Sequence, residues 1–204
     1  IELLKIILQE GLNADAMSPG EIYLNLKAGF KPENILYICN NVDKDEMQYA
    51  IDHGVMISAD SLSQLEQYGQ INSDGKICVR FNPGVGAGHH AKVITAGKDT
   101  KFGIDIDLID EVKAIINKYN LNLVGINQHI GSLFMDDESY IEGVKSCLAI
   151  AENFENLEFV DLGGGFGIPY HKLDGESRLD LASLGAKLTP ILTEWANKHN
   201  PNII

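Results

Sequence analysis

Apolar positions along the chain switch repeatedly between the two-residue period of a strand and the 3.6-residue period of a helix. Leu12 to Met17 reads as a strand, followed by a helix over Pro19 to Ala28. That helix carries its own start signal, with Ser18 as N-cap, Pro19 in the first turn and Glu21 at the third position. Asn34 to Cys39 (NILYIC) is a buried strand, and Lys44 to His53 a helix that stops at Gly54. Val55 to Ala59 is the next strand, Leu62 to Tyr68 a short helix, and Lys76 to Phe81 (KICVRF) a further strand. A Gly-rich polar stretch then runs from Asn82 to Gly103. Beyond it, Leu108, Ile109, Val112, Ile115, Ile116 and Tyr119 form one amphipathic stripe. Asn122 to His129 is a strand, and Ser139 to Asn153 a helix with Ile141, Val144, Leu148 and Ala151 on one face. Glu158 to Leu162 is a strand that runs straight into glycines. Leu184, Leu188, Ile191, Leu192 and Trp195 stripe the last helix, and Asn202 to Ile204 opens one more strand.

Strands alternating with helices in this way imply parallel βαβ units. An open doubly wound sheet would place G-x-G-x-x-G after the first strand, with an acid about 20 residues on. The glycine cluster here, Gly163-Gly164-Gly165-Phe166-Gly167, follows a late strand instead. A (β/α)8 barrel sets its phosphate-binding loops after its last strands, so the expected class is α/β, of the barrel type. No low-complexity tract or shift in composition marks a linker, and one domain over 1–204 is expected.

Composition narrows the classes further. The 204 residues are 45% hydrophobic, and 16 basic against 29 acidic side chains leave a net charge of −13. That surplus repels phosphate backbones, so nucleic-acid binding is not expected. No run approaches the roughly 18 apolar residues of a membrane span and no signal peptide opens the chain, so no membrane partner is expected. Cys39, Cys78 and Cys147 are widely spaced within apolar stretches, which suits a reducing cytosol better than a disulfide framework or a zinc site. The chain starts without Met inside an apolar helical pattern and ends on Ile203-Ile204, so it reads as a piece of something longer.

Three features carry candidate chemistry. Consecutive glycines after a strand serve either as a tight turn needing positive φ or as a cradle of backbone N–H groups around an anion. Asp161, just before them, reads as a bracing residue. Gln128-His129-Ile130-Gly131-Ser132 closes the preceding strand, at the end where barrel active sites assemble. His129 is either a packing residue or a ring that stacks on a flat cofactor, and Ser132 can offer a hydroxyl to phosphate. Arg80, with Asn82-Pro83, and Asp15 are charges within apolar strands, each either paired with a neighbour or turned to a ligand. His89-His90 lacks a second ligand cluster at suitable spacing, so no metal site is expected. Lys101-Phe102-Gly103-Ile104 reads as the ordering end of the long loop.

Taken in order, these strings resemble one family. Asn13-Ala14-Asp15-Ala16-Met17-Ser18-Pro19-Gly20-Glu21 resembles its GADVVSGGE, and Arg80-Phe81-Asn82-Pro83 with Lys101 to Ile104 resembles its R-x-NP…KFGI. Gln128 to Ser132 resembles HCHIGSQ, and Asp161 to Ile168 resembles DLGGGLGI. The set is similar to the pyridoxal-phosphate barrel of the diaminopimelate, ornithine and arginine decarboxylases, of the alanine-racemase-like fold type. The diaminopimelate branch matches best, through HIGS, the spacing to KFGI and Gly167-Ile168-Pro169-Tyr170.

The resemblance implies roles by position. His129 is expected to stack on the pyridine ring, and Ser132 with the N–H groups of Gly163, Gly164 and Gly165 to hold the 5′-phosphate. Asp15, Glu21 and Arg80 are expected to line or brace the pocket; Asp60-Ser61 echoes a strand-end DS with no assigned role. The family's Schiff-base lysine lies in a Y-A-V-K-A-N segment, expected just before Ile1. Its E-P-G-R segment is expected after Ile204, followed by a β domain that lends a Cys and a Tyr to the partner subunit. The chain is therefore expected to be strands two to eight of the barrel, without catalytic residues of its own and inactive alone. Asn82 to His90 (NPGVGAGHH) departs from the family's NPDVDAxTHPY. The implied parent is a cytoplasmic homodimer that decarboxylates meso-diaminopimelate to L-lysine. Another basic amino acid or carboxynorspermidine is the alternative substrate. A non-catalytic pyridoxal-phosphate-binding barrel, or a barrel that binds sugar phosphates, is the alternative class.

Overall fold

Local chemistry sets the elements before packing does. In the computed structural model, which describes residues 1–84, 100–170, 175, 177–199 and 202–203, helix α2 spans Pro19–Ala28. The Ser18 hydroxyl accepts from the Glu21 N–H at 3.2 Å, and the Glu21 carboxylate accepts from the Met17 N–H at 2.6 Å. Two N–H groups that the helix start leaves over are thus satisfied, and Gly29, at φ 106°, ends the helix in the left-handed conformation. Helix α3 (Lys44–Asp52) opens with a reciprocal capping box between Asp43 and Glu46.

The chain divides into two compact units, Ile1–Val79 with Ile109–Leu123, and Arg80–Leu108 with Val124–Ile204. In the first, β1 (Ala14–Ala16), β2 (Ile35–Cys39), β3 (Met56–Ala59) and the start of β4 (Lys76–Asn82) pair side by side, all parallel. Their register runs Asp15 to Leu36, Tyr37 to Ile57 and Ala59 to Val79. Helices α1 (Glu2–Gln9), α2, α3, α4 (Leu62–Ile71) and α5 (Ile109–Tyr119) belong to this unit. Ile22, Tyr37, Met47, Ile57, Leu65 and Val112 are buried at its core.

Helix α4 passes through Gly69, at Tyr68 of which the expected helix ends. A Cβ at Gly69 would lie 2.3 Å from the Tyr119 ring, so the glycine makes room for α5 and does not end α4. Glu66 then accepts hydrogen bonds from both Lys118 and Tyr119 across the same pair of helices.

In the second unit the strand order is β4, β6 (Asn122–Asn127), β7 (Phe159–Asp161) and β8 (Asn202–Ile203), with β5 (Ile104–Asp105) paired to β4. The pairings through β5, β7 and β8 are parallel. Helices α6 (Glu138–Ala151) and α7 (Leu181–His199) complete it, over a core that includes Phe81, Ile126, Val144, Cys147 and Val160. In both units neighbouring strands follow sequence order, the arrangement of a (β/α) barrel and not of a doubly wound sheet. The expected α/β class and barrel type hold. Strand β5 is new relative to the pattern: two residues are too short for a periodic signal.

In the first unit the buried polar residues Ser58 and Asp60 lie at the C-terminal end of β3. In the second, Arg80 and Asn82 lie at that end of β4, and Asn127 and Gln128 at that end of β6. That is the end at which barrels build their sites.

Candidate functional site

Strand β6 stops at Asn127, two residues before the expected His129. The Gln128 N–H turns to the Asp161 carbonyl at 3.1 Å, and its side-chain Nε2 donates to the Leu162 carbonyl at 3.1 Å. Both bonds tie the end of β6 to the end of β7 and deliver His129 into the following loop, half-buried.

The glycine cluster closes against that loop with almost no clearance. A Cβ on Gly163 (φ 69°) would sit 2.3 Å from the Gln128 carbonyl oxygen, and one on Gly165 (φ 100°) 1.9 Å from that of Gly131. Only glycine permits both the conformation and the approach. The same hypothetical Cβ on Gly165 would be 3.4 Å from His129 Cε1, so the imidazole lies beside the glycine backbone. Further along, the Phe134 N–H donates to the Gly165 carbonyl and the Gly167 N–H to the Phe134 carbonyl, at 3.1 and 2.9 Å. The two loops are zipped.

Donors differ within the cluster. The Gly163 N–H is committed to Asp161 Oδ1 at 2.8 Å. This corrects the expectation of three convergent N–H groups: Asp161 braces the turn as expected, and Gly163 shapes the loop while its N–H is spent. Among the described residues, neither the Gly164 N–H, the Gly165 N–H nor the Ser132 hydroxyl has an acceptor. A Cβ at Gly164 would meet nothing within 4 Å. Ser132 is half-buried. Two N–H groups without acceptors on a loop that borders open space at Gly164, with a hydroxyl on the loop zipped to it, are the donor types that suit the oxygens of a phosphate monoester.

The surroundings of His129 favour its neutral form. Burial lowers its pKa first, and the Arg80 cation lowers it further. Arg80 itself is 5% exposed on β4, its guanidinium carbon 5.2 Å from the centre of the Phe102 ring. A neutral, half-buried ring of this kind suits stacking on a flat heterocycle better than pairing with an anion. Among the described residues no group of three or more His, Cys, Asp or Glu is placed to hold a metal ion, and His89-His90 lies outside the described residues.

Other expected site residues turn out differently. Asp15 is exposed on the three-residue strand β1, so it is not the buried charge that its apolar surroundings in sequence suggested. Glu21 braces the start of α2. Ser61 is the N-cap of α4, its hydroxyl accepting from Gln64 N–H, which gives the strand-end DS a structural role. Asn82 organises the chain after β4: its Nδ2 donates to Asp105 at 3.1 Å and its Oδ1 accepts from the Gly84 N–H at 3.1 Å. Two residues without an expected role sit behind the glycines, Gln128 and Tyr140. The Tyr140 hydroxyl donates to the Gly163 carbonyl at 3.1 Å, and its ring stacks on Phe134. The polar pair Asn127-Gln128 just before His129, after the apolar run Leu123 to Ile126, was the available signal for Gln128.

Known proteins resemble this chain in sequence and fold. The family described as "pyridoxal-dependent decarboxylase, pyridoxal binding domain" matches residues 1–204. Diaminopimelate decarboxylase of Methanothermobacter thermautotrophicus is 41% identical over 98% of this chain and 47% of its own length. That of Staphylococcus aureus is 35% identical over 90% of this chain and 44% of its own. The crystal structure of diaminopimelate decarboxylase from Helicobacter pylori complexed with L-lysine superposes with a TM-score of 0.87 at 26% identity, over all of this chain and 52% of that one. The arginine decarboxylase of Paramecium bursaria Chlorella virus, at 20% identity and a TM-score of 0.78, shares the fold. The chain spans about half the length of the curated relatives it matches. A glycine loop zipped to a His-x-Gly-Ser loop at the ends of parallel strands, matched from first residue to last, places this chain in the pyridoxal-dependent decarboxylase family, as its pyridoxal-binding domain.

Proposed function

We propose that the protein carrying this chain is a pyridoxal-phosphate-dependent decarboxylase that removes CO₂ from the D-stereocentre of meso-diaminopimelate, leaving L-lysine. The observation that carries the cofactor reading is the pair of N–H groups at Gly164 and Gly165 that have no acceptor among the described residues, with open space at Gly164. The relatives named diaminopimelate decarboxylase, at up to 41% identity, support the substrate.

In this reading Ser132, Gly164 and Gly165 hold the 5′-phosphate, and Gly163 sets the turn that presents them. His129 lies flat against the pyridine ring, and its burial, with Arg80 nearby, favours the uncharged imidazole on that face. Phe166, 41% exposed on the bridged loop, adds an apolar wall at the mouth. Asp15 enters the set through the resemblance alone. When bound, pyridoxal phosphate supplies the electron sink for the carbanion that departing CO₂ leaves behind. The lysine that anchors the cofactor, and the acid that reprotonates the product, belong to segments other than 1–204. Among the described residues no helix is long and apolar enough to cross a membrane. The proposal extends to a cytoplasmic homodimer; the buried thiols of Cys78 and Cys147, in no disulfide, suit a reducing compartment.

The test is CO₂ release by the complete protein with pyridoxal phosphate, from meso-diaminopimelate, ornithine, arginine and carboxynorspermidine in parallel. Preference for meso-diaminopimelate is expected. Preference for another substrate overturns the substrate reading, and release from none overturns the enzyme reading.

A further inference from the structure

Each peptide plane in the glycine cluster is gripped differently. The plane joining Leu162 and Gly163 is held on both sides, by Gln128 Nε2 on its carbonyl and by Asp161 Oδ1 on its N–H. The plane joining Gly165 and Phe166 is held through its carbonyl by the Phe134 N–H. Between them, the plane joining Gly163 and Gly164 is held on one side only, where the Tyr140 hydroxyl donates to the Gly163 carbonyl at 3.1 Å. A trans peptide is planar, with its C=O and N–H pointing opposite ways. A donor fixed on the Gly163 carbonyl therefore turns the Gly164 N–H away from Tyr140, on the residue that borders open space.

We propose that Tyr140 is a positioning residue for the anion site: its hydroxyl orients the Gly164 N–H by gripping the other end of the same peptide plane. Tyr140 is built for this task. It sits in the first turn of α6, stacks on Phe134 with ring centres 5.2 Å apart and meets Phe166 edge-on at 5.0 Å. The rings on either side fix its direction. Burial, then the negative charge of Asp161, push its pKa up to about 12, so the hydroxyl keeps the proton it donates. Glycine neighbours make the grip necessary, because a Gly163-Gly164 plane without side chains has little else to stop it flipping. The inference rests on the phosphate reading given under Proposed function.

The test compares affinities of the complete protein for pyridoxal phosphate and for pyridoxal, which lacks the phosphate. Tyr140→Phe keeps the ring stack and removes the hydroxyl. It is expected to weaken pyridoxal phosphate binding about three- to tenfold more than pyridoxal binding, the scale of one hydrogen bond. A merely structural role would lower both affinities together and leave their ratio unchanged. Ser132→Ala, measured alongside, separates the two ideas. If Ser132→Ala shifts the ratio and Tyr140→Phe does not, the positioning role is wrong and the phosphate reading stands. If neither shifts it, and inorganic phosphate does not compete with pyridoxal phosphate, the phosphate reading fails and takes the inference with it. A measurement without any variant guards against misfolding. Amide exchange at Gly164 is expected to be fast in the protein without anion and slowed by inorganic phosphate. Protection before any anion is added would overturn the proposed orientation.

Discussion

Substituting Gly165 by Ala tests whether the two loops are locked by backbone contact. The new Cβ would lie 1.9 Å from the Gly131 carbonyl oxygen, at a residue whose φ is 100°. An L-residue there carries about 1–3 kcal/mol of backbone strain. Relieving the contact to an ordinary separation near 3.5 Å moves one loop by roughly 1.5 Å. Forced packing of that kind costs about another 1–3 kcal/mol. The sum, about 2–6 kcal/mol, lowers the melting temperature of a domain this size by roughly 5–20 °C. Gly164→Ala is the matched control, one residue away, with nothing within 4 Å of the new methyl. It should melt within about 2 °C of the parent, yet lose pyridoxal phosphate affinity, because the methyl enters the open space beside the free donors. Thermal melting of the two variants of the complete protein, with cofactor titrations on each, reads both effects. Equal melting temperatures for the two alanines would refute the locked-loop account. An unchanged affinity in Gly164→Ala would refute the placement of the phosphate.

Three further outcomes are expected. His129→Phe should retain more pyridoxal phosphate affinity than His129→Ala, since a flat ring survives; equal losses by fluorescence titration would count against stacking. His129 has its pKa lowered in the folded state, by burial first and then by Arg80, so the unfolded chain takes up this proton at the higher pH. Its stabilisation is therefore complete above the unfolded pKa near 6.5 and is lost as pH falls through the folded value; melting between pH 8 and 5 should show a shallower acid slope in His129→Phe, and parallel slopes would contradict this. Ser18→Ala removes the acceptor for the Glu21 N–H and should cost about 1 kcal/mol in urea unfolding; no change in midpoint would mean that Glu21 alone secures the start of α2.

Elements with local causes were legible from the chain alone. Helix α2 begins at Pro19 as its cap residues dictate, and β2 and β3 start within one residue of the expected positions. Errors arose where distant groups decide. Helix α4 continues through Gly69 because the Tyr119 ring needs the space, and β6 ends early because Gln128 turns to Asp161 and Leu162. The candidate site was proposed from His129, Ser132 and the glycines, whose residue types are unusual at strand ends. Tyr140 was not, since its 3.6-residue neighbourhood marks it only as part of a helix; its partner Gly163 lies 23 residues on. Asp15 misled in the other direction, because successive strand residues face opposite sides: Ala16 is buried while Asp15 beside it is exposed.

The close approach of Gly163 and Gly165 to the neighbouring loop bears on how such a chain would drift over generations. Both glycines answer to carbonyl oxygens of the protein itself, at Gln128 and Gly131. A descendant that had abandoned its cofactor would still be bound to keep them, or lose the fold. Gly164 answers to nothing within 4 Å, and Ser132 has no acceptor among the described residues, so selection for the ligand alone would hold those two. A run of glycines in a distant homologue is thus a record of ancestry, and the residue in its middle, with the serine across the loop, is the record of use.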